Sequence, residues 1–373
     1  MKNKLFIFVW LFSLIPSVCF GAPAVMRVTP TGAGAKDGAA WATAMSPTEF
    51  ITDITTNSEA GDVYYLCGET FTCGAIDSTL RDATLALPLQ VIGVKATTTN
   101  ENPVASDFPS TAETLPIMAL TTNAWLAGDY YIIKNIRFTG TADSGIIRPG
   151  AIDMVINCTF YNSSGTANRE AFYTQSASVF TLNCEFISTN GNAYSGNNAG
   201  PLFLKNCILR NSVGGFYTSN GNTCLLLDCI IYNNTTGLSF ASYLNQVLNC
   251  TFYNNTTGIT IANIAYGQKI TNNIFHTCTT GINQATAAIP MSFYNYNFYY
   301  GCGTTTVNVT EGANSDETQT QDPGFVDPAN GNFAIGSALR AKGYPGVFSG
   351  GLSTGYISPG AVQPKMKKKT ILF

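Results

Sequence analysis

The feature that most constrains this chain is a four-residue motif, asparagine, cysteine and then two strand-forming residues, that returns every 21 to 26 positions through its middle. It reads Asn157-Cys158-Thr159-Phe160, Asn183-Cys184-Glu185-Phe186, Asn206-Cys207-Ile208-Leu209, Asp228-Cys229-Ile230-Ile231 and Asn249-Cys250-Thr251-Phe252. Weaker copies stand upstream at Asn135-Ile136-Arg137-Phe138 and downstream at Asn272-Asn273-Ile274-Phe275 and Asn295-Tyr296-Asn297-Phe298. A glycine column, Gly215, Gly237, Gly258 and Gly281, keeps the same register and is followed each time by an apolar residue. A period near 22 without helical patterning excludes ankyrin, tetratricopeptide and leucine-rich arrays, and a propeller blade needs about forty residues. What remains is a coil of short parallel strands.

Such a coil stacks each turn about 4.8 Å above the last, so that equivalent positions form columns. Asparagine suits a tight corner because it tolerates the left-handed backbone, and its amide can bond to the amides above and below. The residue two places past the cysteine position, from Phe160 through Phe275 to Phe298, is expected to point inward. The fold class is therefore all-β: a single-stranded right-handed parallel β-helix (solenoid). A short N-terminal capping helix is expected from Ser46 through about Thr55, with Ser46 as cap, Pro47 at the first position and Glu49 reaching back.

Charged residues make up 11% of the chain and the net charge is -3, so the surface is finished mainly with hydroxyls and amides. Nothing basic enough to follow a phosphate backbone is present, which sets nucleic acid aside as a partner. Lys2 and Lys4, the apolar run Leu5 to Phe20 and the small residues Gly21-Ala22-Pro23-Ala24 have the form of an export signal, with no membrane span once it is removed. The expected organisation is a signal over 1–24, an N-terminal cap over 25–60, the parallel β-helix over 61–310, a closing segment over 311–363 and a basic tail over 364–373. The mature chain is expected to be secreted, periplasmic or on the cell surface.

These repeats resemble the right-handed parallel β-helix proteins of the pectin-lyase-like superfamily. The resemblance extends to the ends, in Val28-Thr29-Pro30-Thr31-Gly32 with Ala60-Gly61-Asp62-Val63-Tyr64, and in Asp322-Pro323-Gly324-Phe325-Val326-Asp327-Pro328 with Gly331-Asn332-Phe333. It implies fold more than activity, since the superfamily contains lyases, hydrolases, adhesins and phage tail proteins. Its lyases combine acidic calcium ligands with a Lys or Arg base on the outer face of the first strand of each turn. Here that face reads Tyr173, Ser195, Tyr217, Ser239, Thr260 and Asn283, without a carboxylate or a base. No metal site or cofactor is expected; calcium is left open, with no ligand set to support it. Catalysis, if present, is left to loop residues: Asp143, Arg148, Asp153, Arg169 and Glu170.

The cysteine column could form disulfides in an oxidising compartment, but five members of one column cannot all pair with neighbours, and a small apolar thiol fills a stacked interior. Free buried thiols are expected for Cys158, Cys184, Cys207, Cys229 and Cys250, and disulfides for Cys67 with Cys73 and Cys278 with Cys302. An outer stripe three places past the cysteine position, Tyr161, Ile187, Arg210, Tyr232, Tyr253, His276 and Tyr299, offers rings on which sugars could stack. The bland alternative places it under the C-terminal segment or another subunit. Expected substrate-binding residues are Tyr173, Tyr217, Tyr232, Tyr253, His276 and Tyr299. The functional expectation is contact with extracellular polysaccharide by a monomer or homotrimer, with binding favoured over cleavage. A lyase or hydrolase and a non-catalytic adhesin or virion tail protein are the alternatives.

Overall fold

The computed structural model describes residues 23–362 apart from 69, 79–82, 110–114, 121–124, 127, 142–144, 151, 168, 176, 198–199, 220–222, 242, 263–266, 287–290, 341 and 344–357. The proposed export signal to residue 22 and the basic tail lie outside them, as does Asp143.

Among the described residues the turns lay their strands into three parallel sheets, of eleven, ten and ten strands. The first sheet runs from Val25–Val28 to Phe293–Asn295, the second from Thr70–Cys73 to Phe298–Tyr300 and the third from Ile76–Asp77 to Thr304–Val307. The expected cap thus supplies a strand of its own, for Val25 pairs with Val63. The helix is α1, Pro47–Thr56, with Ser46 as N-cap and its N–H donated to Glu49 Oε2 at 3.1 Å. Phe50 and Ile54 are its buried face, and Phe50 meets Tyr64 edge-on at 5.3 Å, closing the open end of the coil.

The corner between the first and second sheets is a single residue with positive φ, from Asn135 at 57° through Asn249 at 55° to Asn272 at 63°. One residue in the left-handed region turns the chain without a loop, which is why the motif needs asparagine there. The amides form the expected ladder: Asn157 Nδ2 donates to Asn135 Oδ1 at 3.2 Å, Asn183 to Asn157 at 3.0 Å and Asn206 to Asn183 at 3.2 Å. A second ladder at the corner between the second and third sheets joins Asn211, Asn233 and Asn254. The glycine column has a different cause. A Cβ on Gly258 would lie 2.5 Å from the Gly281 carbonyl oxygen and 2.8 Å from Phe275, so only hydrogen fits.

Inside, Phe138, Phe160 and Phe186 stack nearly parallel at 5.1 and 5.2 Å, and Phe252, Phe275 and Tyr299 continue the column at 4.6 and 5.0 Å. Burying each ring contributes about 1.5–3 kcal/mol, and the offset contacts add to that. The five cysteines of the motif are buried free thiols.

Two expectations are corrected. The last turn is displaced by one residue: Thr271 pairs with Asn295, so Tyr296, at φ 57°, takes the corner. Tyr299 rather than Phe298 therefore enters the column and is fully buried, which removes it from the outer stripe. The expected disulfides are absent. Cys67 and Cys73 end strands of different sheets, where the Cys67 thiol donates to the Lys95 carbonyl at 3.1 Å. Cys278 and Cys302 neighbour each other at successive corners as free thiols.

Candidate functional site

On the second sheet the motif's third and fifth positions face outward. One outer column runs Arg137, Thr159, Glu185, Ile208 and the next Thr139, Tyr161, Ile187, Arg210, Tyr232, Tyr253, His276, Tyr300. The later half is covered by the C-terminal segment. Phe333 lies 5.3 Å from Tyr232 and 5.5 Å from Tyr253, and Phe325 lies 5.4 Å from His276. Ile335 and Leu339 pack with Ile274 and Phe298 into a separate apolar cluster. Asn272 donates to the Ser358 carbonyl, and Ala361 N–H to Thr251 Oγ1 at 3.0 Å. Tyr232, Tyr253 and His276 thus sit beneath apolar rings instead of forming an open ribbon for sugars. Burial lowers the His276 pKa, favouring the neutral imidazole there.

Among the described residues the earlier half of the same face is open. Arg137, Thr159, Tyr161, Glu185, Ile187, Thr189, Arg210 and Asn211 line a trough of about 540 Å³. A second hollow of about 320 Å³ shares Thr159 and Glu185 with it and is bordered by Asn157, Asn183, Asn206, Pro109 and Leu115. Glu185 Oε1 accepts from Arg210 Nε at 2.6 Å, and the Arg210 guanidinium lies 5.9 Å from the centre of the Tyr232 ring. Burial works against the charge on Arg210, but the Glu185 hydrogen bond and charge outweigh it and its pKa is raised. Arg137 stands two strands from Glu185 in the same column and is exposed. The trough therefore offers a half-exposed ring, hydroxyls, an amide, a locked ion pair and an exposed guanidinium.

The third sheet presents the column expected from the glycine register, with Tyr173, Ser195, Tyr217, Ser239, Thr260 and Asn283 in sequence. The register extends further back, through Arg148 and Leu126 to Asp77. The short strand Ile147–Arg148 places Arg148 next to Tyr173, its guanidinium 5.3 Å from the centre of the Tyr173 ring. Arg148 donates to Gln175 Oε1 at 3.2 Å, Asn197 donates to the Tyr173 hydroxyl at 3.3 Å, and Ser219 donates to Asn197. A guanidinium and, two strands back, the exposed carboxylate of Asp77 thus stand on a face expected to have no charge. Tyr173 and Tyr217 are half-buried, and Ser195 between them is 3% exposed.

The loop candidates do not converge. Asp153 is 1% exposed and accepts from the backbone N–H groups of Tyr131 at 2.7 Å and Gly150 at 3.1 Å, so it pins one turn to the next. Burial pushes its pKa up to about 7. Arg169 and Glu170 sit at the corner before the third sheet, where their carbonyls accept from Ser188 Oγ and Asn162 Nδ2. Burial raises the Glu170 pKa. Among the described residues no three His, Cys, Asp or Glu side chains gather in a group that could hold a metal ion.

Arg137 and Glu185 escaped sequence reasoning, although they left a signal. They fill the motif's third position with charge where other turns have Thr or Ile, and Arg210 does the same in the adjoining column.

The family model described as "Right handed beta helix region" matches residues 124–298. No curated protein matches the chain in sequence. Among solved structures, a pectate lyase, Pel9A, superposes with a TM-score of 0.60 at 12% identity, covering 92% of this chain and 97% of that one. A rhamnogalacturonan lyase superposes with a TM-score of 0.58 at 13% identity, covering 81% of this chain and 90% of that one. At such identities the likeness is one of fold: this chain folds as a right-handed parallel β-helix, as those two lyases do.

Proposed function

We propose that this β-helix is exported and contacts extracellular polysaccharide in the open trough of its second sheet. The observation that carries the reading is the composition of that trough, with Tyr161, Thr159, Thr189, Asn211 and Ile187 around Arg137 and the Glu185–Arg210 pair. A pyranose has an apolar face for a tyrosine ring and a rim of hydroxyls for amides, hydroxyls and guanidinium groups. Solved structures of similar fold include a pectate lyase and a rhamnogalacturonan lyase, enzymes named for polysaccharides, which supports such a ligand.

Binding is favoured over cleavage. Glycoside hydrolysis canonically needs two carboxyl groups facing the scissile bond. The trough lining contributes one, Glu185, and it is already hydrogen-bonded to Arg210. The test is retention of polysaccharides in affinity electrophoresis, with product analysis of the same mixtures. Wild-type protein is expected to be retarded by at least one polysaccharide of a neutral and uronate-containing panel without shortening it. Tyr161→Ala and Arg137→Ala are each expected to weaken retardation about tenfold, corresponding to roughly 1.4 kcal/mol. Depolymerisation of any panel member, or retardation unaltered by both variants, would sink the reading.

A further inference from the structure

Among the described residues the outer face of the first sheet carries two apolar columns side by side. Ile132, Met154, Phe180, Phe203 and Leu225 stand in register on five successive strands. Met154 is 41% exposed and Phe180 43%, and the rings of Phe180 and Phe203 lie 6.1 Å apart. The neighbouring outward column adds Ile156, Leu182, Leu227 and Leu248, all half-buried. Lys134 and Lys205 interrupt that second column, and their long stems can carry the ammonium groups to the edge.

We propose that this face is the interface through which two copies of the chain associate. Three features select a second copy. The face is flat and parallel-stranded, and sheets with apolar faces pack on one another at about 10 Å. Six strands about 4.8 Å apart, with outward columns about 7 Å apart and the width of the side chains, give a patch of roughly 400 Å² in projection. Counting the relief of the side chains, two copies bury on the order of 1,000 Å² together, which is where specific interfaces begin. One self-complementary patch closes a two-fold pair, whereas a ring of three needs two different patches. Beyond Leu225 the column turns polar at Gln246 and Lys269 before it reaches Phe293, so the patch ends there. A glycan is a poorer occupant, because the two columns offer its hydroxyls no partner except the lysines.

Sedimentation equilibrium of the full mature chain, from sub-micromolar to about 100 µM, tests the assignment. Wild-type protein is expected to move from monomer to dimer across that range. Phe180→Glu is expected to stay monomeric throughout with an unchanged far-ultraviolet spectrum. Met291→Glu, at a site 82% exposed and outside the patch, is expected to dimerise like wild type. A wild-type mass that stays monomeric at every concentration overturns the proposal whether or not the variants fold. So does a Phe180→Glu protein that dimerises as wild type does. A monomeric wild type that loses polysaccharide retention on Phe180→Glu gives the face to a glycan instead and likewise overturns it. The trough variants report separately, since Tyr161 and Arg137 lie on another sheet.

Discussion

At each corner between the first and second sheets, the side-chain amide donates toward the turn before it and accepts from the turn after it. Asp228 breaks this rule. Asn249 Nδ2 donates to it at 3.2 Å, but an ionised carboxylate has no proton to pass on to Asn206. Burial raises the Asp228 pKa, with the Asn249 hydrogen bond and Lys205 opposing the shift. Because the folded state holds this proton more tightly than the unfolded chain does, the contribution is fully present below the unfolded value, about 3.9, and is lost as pH rises through the folded value. Asp228→Asn supplies the missing donor at every pH. It is expected to stabilise the fold by about 0.5–1.5 kcal/mol at pH 7 and to flatten the fall in stability above pH 4, read by urea denaturation at several pH values. Asp153, with its pKa near 7, still contributes a decline of the same sign in the variant. The ladders were legible because asparagine is selected at left-handed corners. The one-residue slip at Tyr296 was not, since Asn295 offered a better match to the motif than the tyrosine that makes the turn.

At the scale of elements, the fate of the aromatic stripe depends on a segment far from it in sequence. The periodicity of the second sheet shows that Tyr232, Tyr253 and His276 share an outer column, but periodicity cannot reveal that Phe325 and Phe333 return to cover them. Arg148 was obscured in another way: its strand has two residues and precedes the first glycine of the column that set the register. Phe333 is 1% exposed and touches both Tyr232 and Tyr253, so it is the anchor of the covering segment. Phe333→Ala is expected to destabilise by about 3 kcal/mol and to expose the segment to limited proteolysis before global unfolding. The Tyr232 hydroxyl, whose pKa is raised by burial, is expected to titrate at lower pH in the variant. Unchanged proteolysis and tyrosine titration would mean that the segment is held chiefly by Ile335, Leu339 and the contacts around Ser358.

The whole molecule is quasi-one-dimensional, and each turn is stabilised mainly by its two neighbours. The open trough lies in the earlier half and the covered face in the later half, with the turns bearing Gly215, Gly237 and Gly258 between and beyond them. A defect in one turn-to-turn interface can therefore uncouple the two halves. Gly258→Ala would place a Cβ 2.5 Å from the Gly281 carbonyl oxygen and 2.8 Å from Phe275, forcing those turns apart at a cost of about 1–3 kcal/mol. Tryptophan reports on one half alone, because beyond Trp10 in the proposed export signal the chain has only Trp41 and Trp125. Far-ultraviolet circular dichroism reports on every strand. In wild type the two signals are expected to coincide along a urea titration, since the stacked interior column runs through the turns as one core. In Gly258→Ala the dichroism is expected to fall first, at lower urea, while tryptophan fluorescence keeps its native value until the earlier turns unfold. Coincident curves in the variant would show instead that the coil unfolds as a single cooperative unit despite the defect. Polysaccharide retention measured at the intermediate urea concentration then separates the halves functionally, because a trough built from Arg137 to Asn211 should persist when the later turns are lost.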